Sequence, residues 1–184
     1  MGKLVFMKIE GIDGEEPIGE TPEKKMIRLS GFSHNLDMEL SASRPSLGPD
    51  ATLRRSYCRH GLFVVQKGLD LATPKLLQAC ANGVIFPNIA VHVCTLQDVT
   101  FPSRKKVPKP VLSIVLTNAI VAHHAYGFTD KWPTEQISFQ YTSIGWNCNW
   151  YKPKDGTSTA LPVGWDGGSN EDKILAVPAS VQFS

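Results

Sequence analysis

Hydrophobic and polar residues alternate through most of this chain, which is the pattern of half-buried β-strands and not of helices. Residues 4–9, 26–36, 62–69, 89–96 and 111–122 each carry it. The clearest run spans 135–151, where Ile137, Phe139 and Tyr141 are followed by Ile144, Trp146, Cys148 and Trp150. Its parity switches from odd to even at Thr142-Ser143, as at a β-bulge that bends a strand and returns its apolar face to the core. One stretch has another period. Thr73 is placed to cap a helix and Pro74 suits the first turn. Leu76, Leu77, Ala79 and Cys80 form an apolar stripe, and Gly83 can take the left-handed conformation that ends a helix. The pattern predicts a mainly β fold with one short flanking α-helix at about 73–83.

Two segments break the alternation. Residues 41–56 read SASRPSLGPDATLRRS, an extended loop. Structureless loops beyond about 12–15 residues are uncommon in compact domains and are usually functional or disordered. Residues 167–184 run from a polar GGSNEDK into ILAVPASVQF, suited to adding a strand to a neighbour or to fraying. Asp155-Gly156 reads as a tight turn after the long alternating run. The expected organisation is a single domain over 1–166 with a C-terminal tail at 167–184.

Composition narrows the function classes. With 184 residues, 42% of them apolar, the chain is long enough for one domain with a real core. Lys and Arg total 19 against 17 Asp and Glu, a net +2 that argues against nucleic acid or an acidic membrane as the main partner. No stretch approaches the roughly 18 apolar residues of a membrane span, so membrane insertion is not expected. The first ten residues lack the apolar core of a signal peptide, which points to synthesis and folding in the cytoplasm. Cys58, Cys80, Cys94 and Cys148 are widely spaced, and free buried thiols are expected of a cytoplasmic chain.

The candidate chemistry is thin. Gly31-Phe-Ser33-His34-Asn35 half-matches a nucleophile elbow, without its second glycine or a strand-to-helix turn. Cys58-Arg-His60 and His92-Val-Cys94 each place two metal-ligand types on one strand face, and His123, His124 and Cys148 could join them, yet zinc sites usually show tighter spacing. Asp13-Gly-Glu-Glu16 lacks the spaced ligands of a calcium loop. The basic run 103–109 is broken by prolines, has only Phe101 as a nearby aromatic, and reads as a solvated hairpin loop. No phosphate loop or paired-carboxylate arrangement is present. No catalytic residue, metal ligand or cofactor is assigned, and no nucleic acid is expected as partner.

Four separated stretches carry a resemblance. Phe6-Met-Lys-Ile-Glu-Gly11, the block from Ala72-Thr-Pro-Lys to Asn-Gly83, Pro133-Thr-Glu-Gln-Ile-Ser-Phe139 and Val163-Gly-Trp-Asp166 are similar, in order and spacing, to the haemolysin-coregulated protein (Hcp) family of the bacterial type VI secretion system. The similarity runs from about residue 4 to 166. It implies a small β-barrel of two sheets with one helix against it, and a non-enzymatic tube subunit. In that role the partners are the chain itself as a homohexamer in stacked rings, a spike protein at the tube tip, the contractile sheath, and effector cargo. The protein would assemble in the cytoplasm and reach the outside on firing. By the same resemblance the 41–56 loop makes subunit or ring contacts, with Arg44, Arg54 and Arg55 reaching carboxylates on a neighbour, and Ser33 faces the lumen.

Three features depart from the family pattern: a longer, proline-rich loop, histidine at His34 where an aromatic is expected, and a tail that runs past the usual end. Two other readings remain at this point. A stand-alone secreted effector or adhesin would use the basic run and the tail, and a serine hydrolase would use Ser33 with a nearby histidine.

Overall fold

The alternating segments become thirteen strands in a computed structural model that describes residues 3–17, 25–40, 55–98, 106–128, 132–151 and 158–172. In chain order they are β1 (Lys3–Ile9), β2 (Glu16–Pro17), β3 (Lys25–Leu29), β4 (Gly31–Ser33), β5 (Leu36–Leu40), β6 (Arg55–His60) and β7 (Phe63–Gly68). The single helix α1 (Thr73–Asn82) follows. Then come β8 (Ile85–Asp98), β9 (Lys106–Gly127), β10 (Thr134–Gln140), β11 (Ser143–Tyr151), β12 (Ser158–Asp166) and β13 (Glu171–Asp172).

Eleven strands form one sheet in the order β13-β12-β11-β9-β8-β1-β3-β2, with β10 joining β9 to β7 and β7 pairing β4. Strands β5 and β6 form a separate two-stranded arm. The fold is mainly β with one helix, as the alternation predicts. A continuous closed barrel ladder is absent among the described residues, yet the pairing path nearly returns on itself. β3 pairs β1, β4 pairs β7, and Ser30 alone separates them, its N–H donating to the Gln66 carbonyl at 2.8 Å.

That handover corrects one expectation. The run 26–36 is not one strand, because the chain leaves β1 for β7 at Ser30 and leaves the sheet for the arm at Leu36. A second correction concerns 135–151, which is two strands lying end to end along β9. Gln140 opposes Ile120 and Ser143 opposes Thr117, so equal lengths of both strands leave the ladder between those pairs. Thr142 covers the gap, with its N–H and its hydroxyl each donating to the Thr117 carbonyl at 3.1 Å. Asn118, opposite, takes φ 48, a left-handed value that asparagine tolerates better than most residues. The bulge itself lies at Ser138/Phe139, not at Thr142-Ser143.

The core explains the rest of the pattern. Met7 and Ile9, Ile27 and Leu29, Phe63 and Val65, Ile89 and Val91, Ile114 and Leu116, and Ile137 and Phe139 alternate inward from six strands into one buried cluster. Each such side chain, fully buried, contributes about 1.5–3 kcal/mol. Leu76 and Ala79 bring the helix onto it. A smaller cluster of Phe6, Met26 and Cys94 lies apart from that core.

The helix begins one residue differently than expected. Ala72 occupies the N-cap without a side-chain hydrogen bond, and Thr73 is the first helical residue. Asp70 does the capping instead, its carboxylate accepting from the Ala72 N–H at 2.9 Å. Gly83 ends the helix at φ 64, where any side chain would be strained, and Val84 N–H closes the turn on the Ala79 carbonyl at 3.1 Å.

Candidate functional site

Of the four site residues read from sequence, Arg44 and Arg54 lie outside the described residues, as does 41–54 as a whole. Arg55 opens β6, where it opposes Leu40, so the end of the expected loop is strand. Ser33 is exposed on β4, opposite Val64. Gln66 and Gln136 face each other across β7 and β10, and Ala125 follows on β9. An open hollow of about 350 Å³ is lined by these three residues with Ser30, Tyr126, Gly127, Thr134 and Glu135, and Ser33 is not among its lining.

The residues considered for metal or catalysis disperse. His34 and His60 meet at the root of the arm, both on the Tyr141 hydroxyl, at 2.5 Å from His34 Nε2 and 3.1 Å from His60 Nδ1. His92 binds the Ser113 hydroxyl at 2.9 Å, and burial, with Lys8 adding, lowers its pKa to about 4. His124 reaches Glu135 at 2.6 Å, and His123 is exposed. Among the described residues no group of three or more His, Cys, Asp or Glu could hold a metal. All four cysteines are free, but only Cys94 is buried, its thiol pushed up to about 12 by burial, whereas Cys148 is exposed. Residues 106–109 of the basic run belong to β9 and pair with β8, so only part of that run is loop. The turn at Asp155-Gly156 and the tail from 173 lie outside the described residues. Short strand β13 pairs Asp172 with Trp165.

Sequence reading missed a buried charged network beneath the helix. Lys67 is 1% and Glu135 2% exposed, and the two form an ion pair. The Lys67 ammonium also donates to Asp70 Oδ1 at 2.6 Å, the Gly68 carbonyl at 3.0 Å and Thr73 Oγ1 at 3.2 Å. Thr73 donates its hydroxyl hydrogen to Glu135 Oε1 at 2.7 Å and accepts from the Asp70 N–H at 3.1 Å. An ionised carboxylate only accepts, so His124 carries its hydrogen on Nε2 and donates it to Glu135 Oε2. The signal was present: Lys67 continues the inward parity of Phe63 and Val65, where a charge needs a buried partner.

The motif stretches meet through such contacts. Thr73 of the helix block bonds Glu135 of the Pro-Thr-Glu strand start. Lys75 donates to the carbonyl of Gly11, which turns at φ 80 after β1. Trp165 stacks on His60 with ring centroids 6.4 Å apart, and Asp166 Oδ1 accepts the Gly168 N–H at 2.9 Å to start the turn into β13. Large apolar side chains also remain outside the core. Phe128 (76% exposed) and Trp132 (64%) flank the β9–β10 connection, Leu161 and Val163 lie on β12, and Leu36 and Met38 on the arm.

These features define a β scaffold stapled internally by charge, with large apolar and polar side chains exposed on its surface. The family model "Type VI secretion system effector, Hcp" matches residues 6–148, and the chain belongs to that family. A structure described as a type six secretion system protein superposes with a TM-score of 0.73 at 21% identity, covering 94% of this chain and 100% of the other. Hcp1 from Salmonella typhimurium gives 0.67 at 20% identity, with 94% and 100% covered. The secreted protein Hcp3 from Pseudomonas aeruginosa gives 0.55 at 18%, with 87% and 97% covered. No curated protein sequence matches the chain. Among the described residues no helix is long and apolar enough to cross a membrane.

Proposed function

We propose that this protein is a tube subunit of a type VI secretion system, closing with five further copies into a ring and stacking in rings that carry effectors. The observation that carries this reading is family membership over 6–148. Two surface features support it. Exposed apolar side chains on the arm, on β12 and beside the β9–β10 connection suit contacts that close by rotation and repeat along an axis. The exposed Ser33, Gln66 and Gln136, all polar and uncharged side chains, suit a channel lining. Assembly inside the cell, export on firing, and contacts with the spike and sheath belong to the same proposal, as does a single domain over 1–166 followed by a tail. The role needs no catalysis. A hydrolase reading is disfavoured because His34, the histidine beside Ser33, already gives its Nε2 to Tyr141.

Light scattering on the purified protein, with negative-stain images of the same fraction, tests this. A six-subunit mass with ring views is expected. A particle that stays monomeric at every concentration and shows no rings overturns it. Replacing Arg44, Arg54 and Arg55 together by alanine should leave the β signal intact and weaken assembly. Unchanged assembly would remove the loop as the contact.

A further inference from the structure

His34 lies just before β5 and His60 ends β6, so the two imidazoles flank the root of the arm, where Gly61 N–H donates to the Asn35 carbonyl at 3.0 Å. The fit there is close, since a Cβ at Gly61 would collide with the Asn35 side-chain amide. Tyr141 is not part of the arm. It fills the interruption between β10 and β11, on the main sheet, and its hydroxyl takes both histidines. A phenol has one hydrogen. With both imidazoles neutral, it donates to one and accepts an N–H from the other, and both contacts are satisfied. Protonating the accepting ring leaves the phenol hydrogen without an acceptor in the cluster. Protonating both sets like charges on rings whose centroids are 6.2 Å apart.

The surroundings favour the neutral pair. Phe63 from β7 and Trp146 from β11 lie 5.7 and 6.5 Å from the His34 ring, and Trp165 from β12 stacks on His60. The titratable groups nearby are Cys58 beside Tyr141, Asp37 opposite Arg59 on the arm, and Asp166 and Glu171 where β12 meets β13. Asp37 is engaged by the Asn35 amide at 2.9 Å. Both histidines remain half-buried as residues, with His60 Nε2 itself buried and without a partner.

We propose that His34, Tyr141 and His60 form an acid-operated clasp that positions the arm on the sheet, holding it at neutral pH and releasing it as the pH falls. Burial lowers the pKa of both histidines, and for His34 the neighbouring His60 adds to it. A lowered histidine pKa means that the open arm binds protons more readily than the closed one. The clasp is therefore at full strength above the ordinary value of about 6.5 and weakens as the pH drops below it. That subunit assembly would follow the same pH dependence rests on the tube reading above. The clasp itself does not.

Hydrogen exchange at pH 7.5 and 5.5, corrected for the intrinsic pH dependence of exchange, reads the arm directly. Protection in β5 and β6 should fall at the lower pH by up to about tenfold for each histidine kept neutral in the closed arm, while β1, β8 and β9 hold theirs. In a His34→Phe, His60→Gln variant the arm's protection should no longer depend on pH. Equal protection of the wild-type arm at both values, or the same loss in the variant, overturns the proposal. Should the variant not fold, NMR titration of the wild-type protein decides. Arm amides moving with the histidine midpoints support the clasp, and arm amides indifferent to them overturn it. A protein that opens its arm with acid yet never forms rings supports the clasp while failing the tube reading.

Discussion

Two polar clusters stabilise neighbouring parts of this molecule, and they are built on opposite principles. Under the helix, Lys67, Glu135, Asp70 and Thr73 form a network whose charges meet one another inside the core, with His124 joining through Nε2 and its Nδ1 left buried without a partner. At the root of the arm, two neutral histidines share one phenol, and His60 Nε2 and Trp165 Nε1 stay buried without partners. The first cluster ties together β7, β10, β9 and α1. The second joins only the arm to the sheet. A buried charge is tolerated only when fully compensated, so the first cluster is all-or-none. A half-buried neutral pair has a second protonation state within reach, so the second is graded. Rigidity and adjustability thus follow from whether the buried groups carry opposite charges that compensate one another or are neutral.

The largest effect should come from breaking the charged cluster. Glu135→Leu removes the buried carboxylate that Lys67, His124 and Thr73 share and leaves the Lys67 ammonium with Asp70 as its partner, and it should lower unfolding stability by about 3–5 kcal/mol in urea titrations. A Lys67→Met, Glu135→Leu double variant should recover part of that loss, because the fully buried ammonium and carboxylate are both gone, and Asp70, which loses Lys67, is partly exposed and keeps the Ala72 N–H. If the double variant is as unstable as the single, the cost lies in packing and not in stranded charge.

Acid should produce the next largest effect, and it separates neutral sites by depth. His92 is buried on Ser113 with Nε2 unpartnered, and its pKa falls to about 4. Its contribution is complete above about 6.5 and is lost as the pH descends toward 4, at about 1.4 kcal/mol per unit, or roughly 3 kcal/mol in all. His34 and His60 add to the upper part of that window in the same direction. Stability measured from pH 7.5 to 4 should fall steadily, and His92→Asn should flatten its lower half. A profile equally steep in that variant would assign the loss to other groups.

The fold was legible where one physical rule governs a segment. Inward parity identified β1, β7, β8 and β9, and the proline-to-glycine frame of α1 set its end at Gly83. Legibility failed where a strand changes neighbours, as at Ser30. Alternation records which face is buried and not which strand lies beside it. It failed again at Tyr141-Thr142, where both β9 and its partner leave the ladder together, so that a parity switch occurs without a bulge. The resemblance supplied the family from short stretches, and the Thr73–Glu135 and Lys75–Gly11 contacts join three of those stretches in space. The arm root was harder. His34 and Tyr141 are 107 residues apart, and nothing local marks two histidines and a tyrosine as neighbours.

The smallest expected change gives the sharpest contrast between the clusters. Tyr141→Phe keeps the ring and its packing but removes the oxygen that both histidines use. The histidines are half-buried and neutral, so the net loss should be that of ordinary hydrogen bonds, about 1 kcal/mol. Because the phenol anchors only the arm, that loss should appear locally. Urea unfolding should shift little, while amide exchange in β5 and β6 should quicken already at pH 7.5. The Glu135 variant should do the reverse, moving global unfolding and all core strands together. If Tyr141→Phe instead lowers the stability of the whole sheet as Glu135→Leu does, the arm is cooperative with the core and the two clusters belong to one unit.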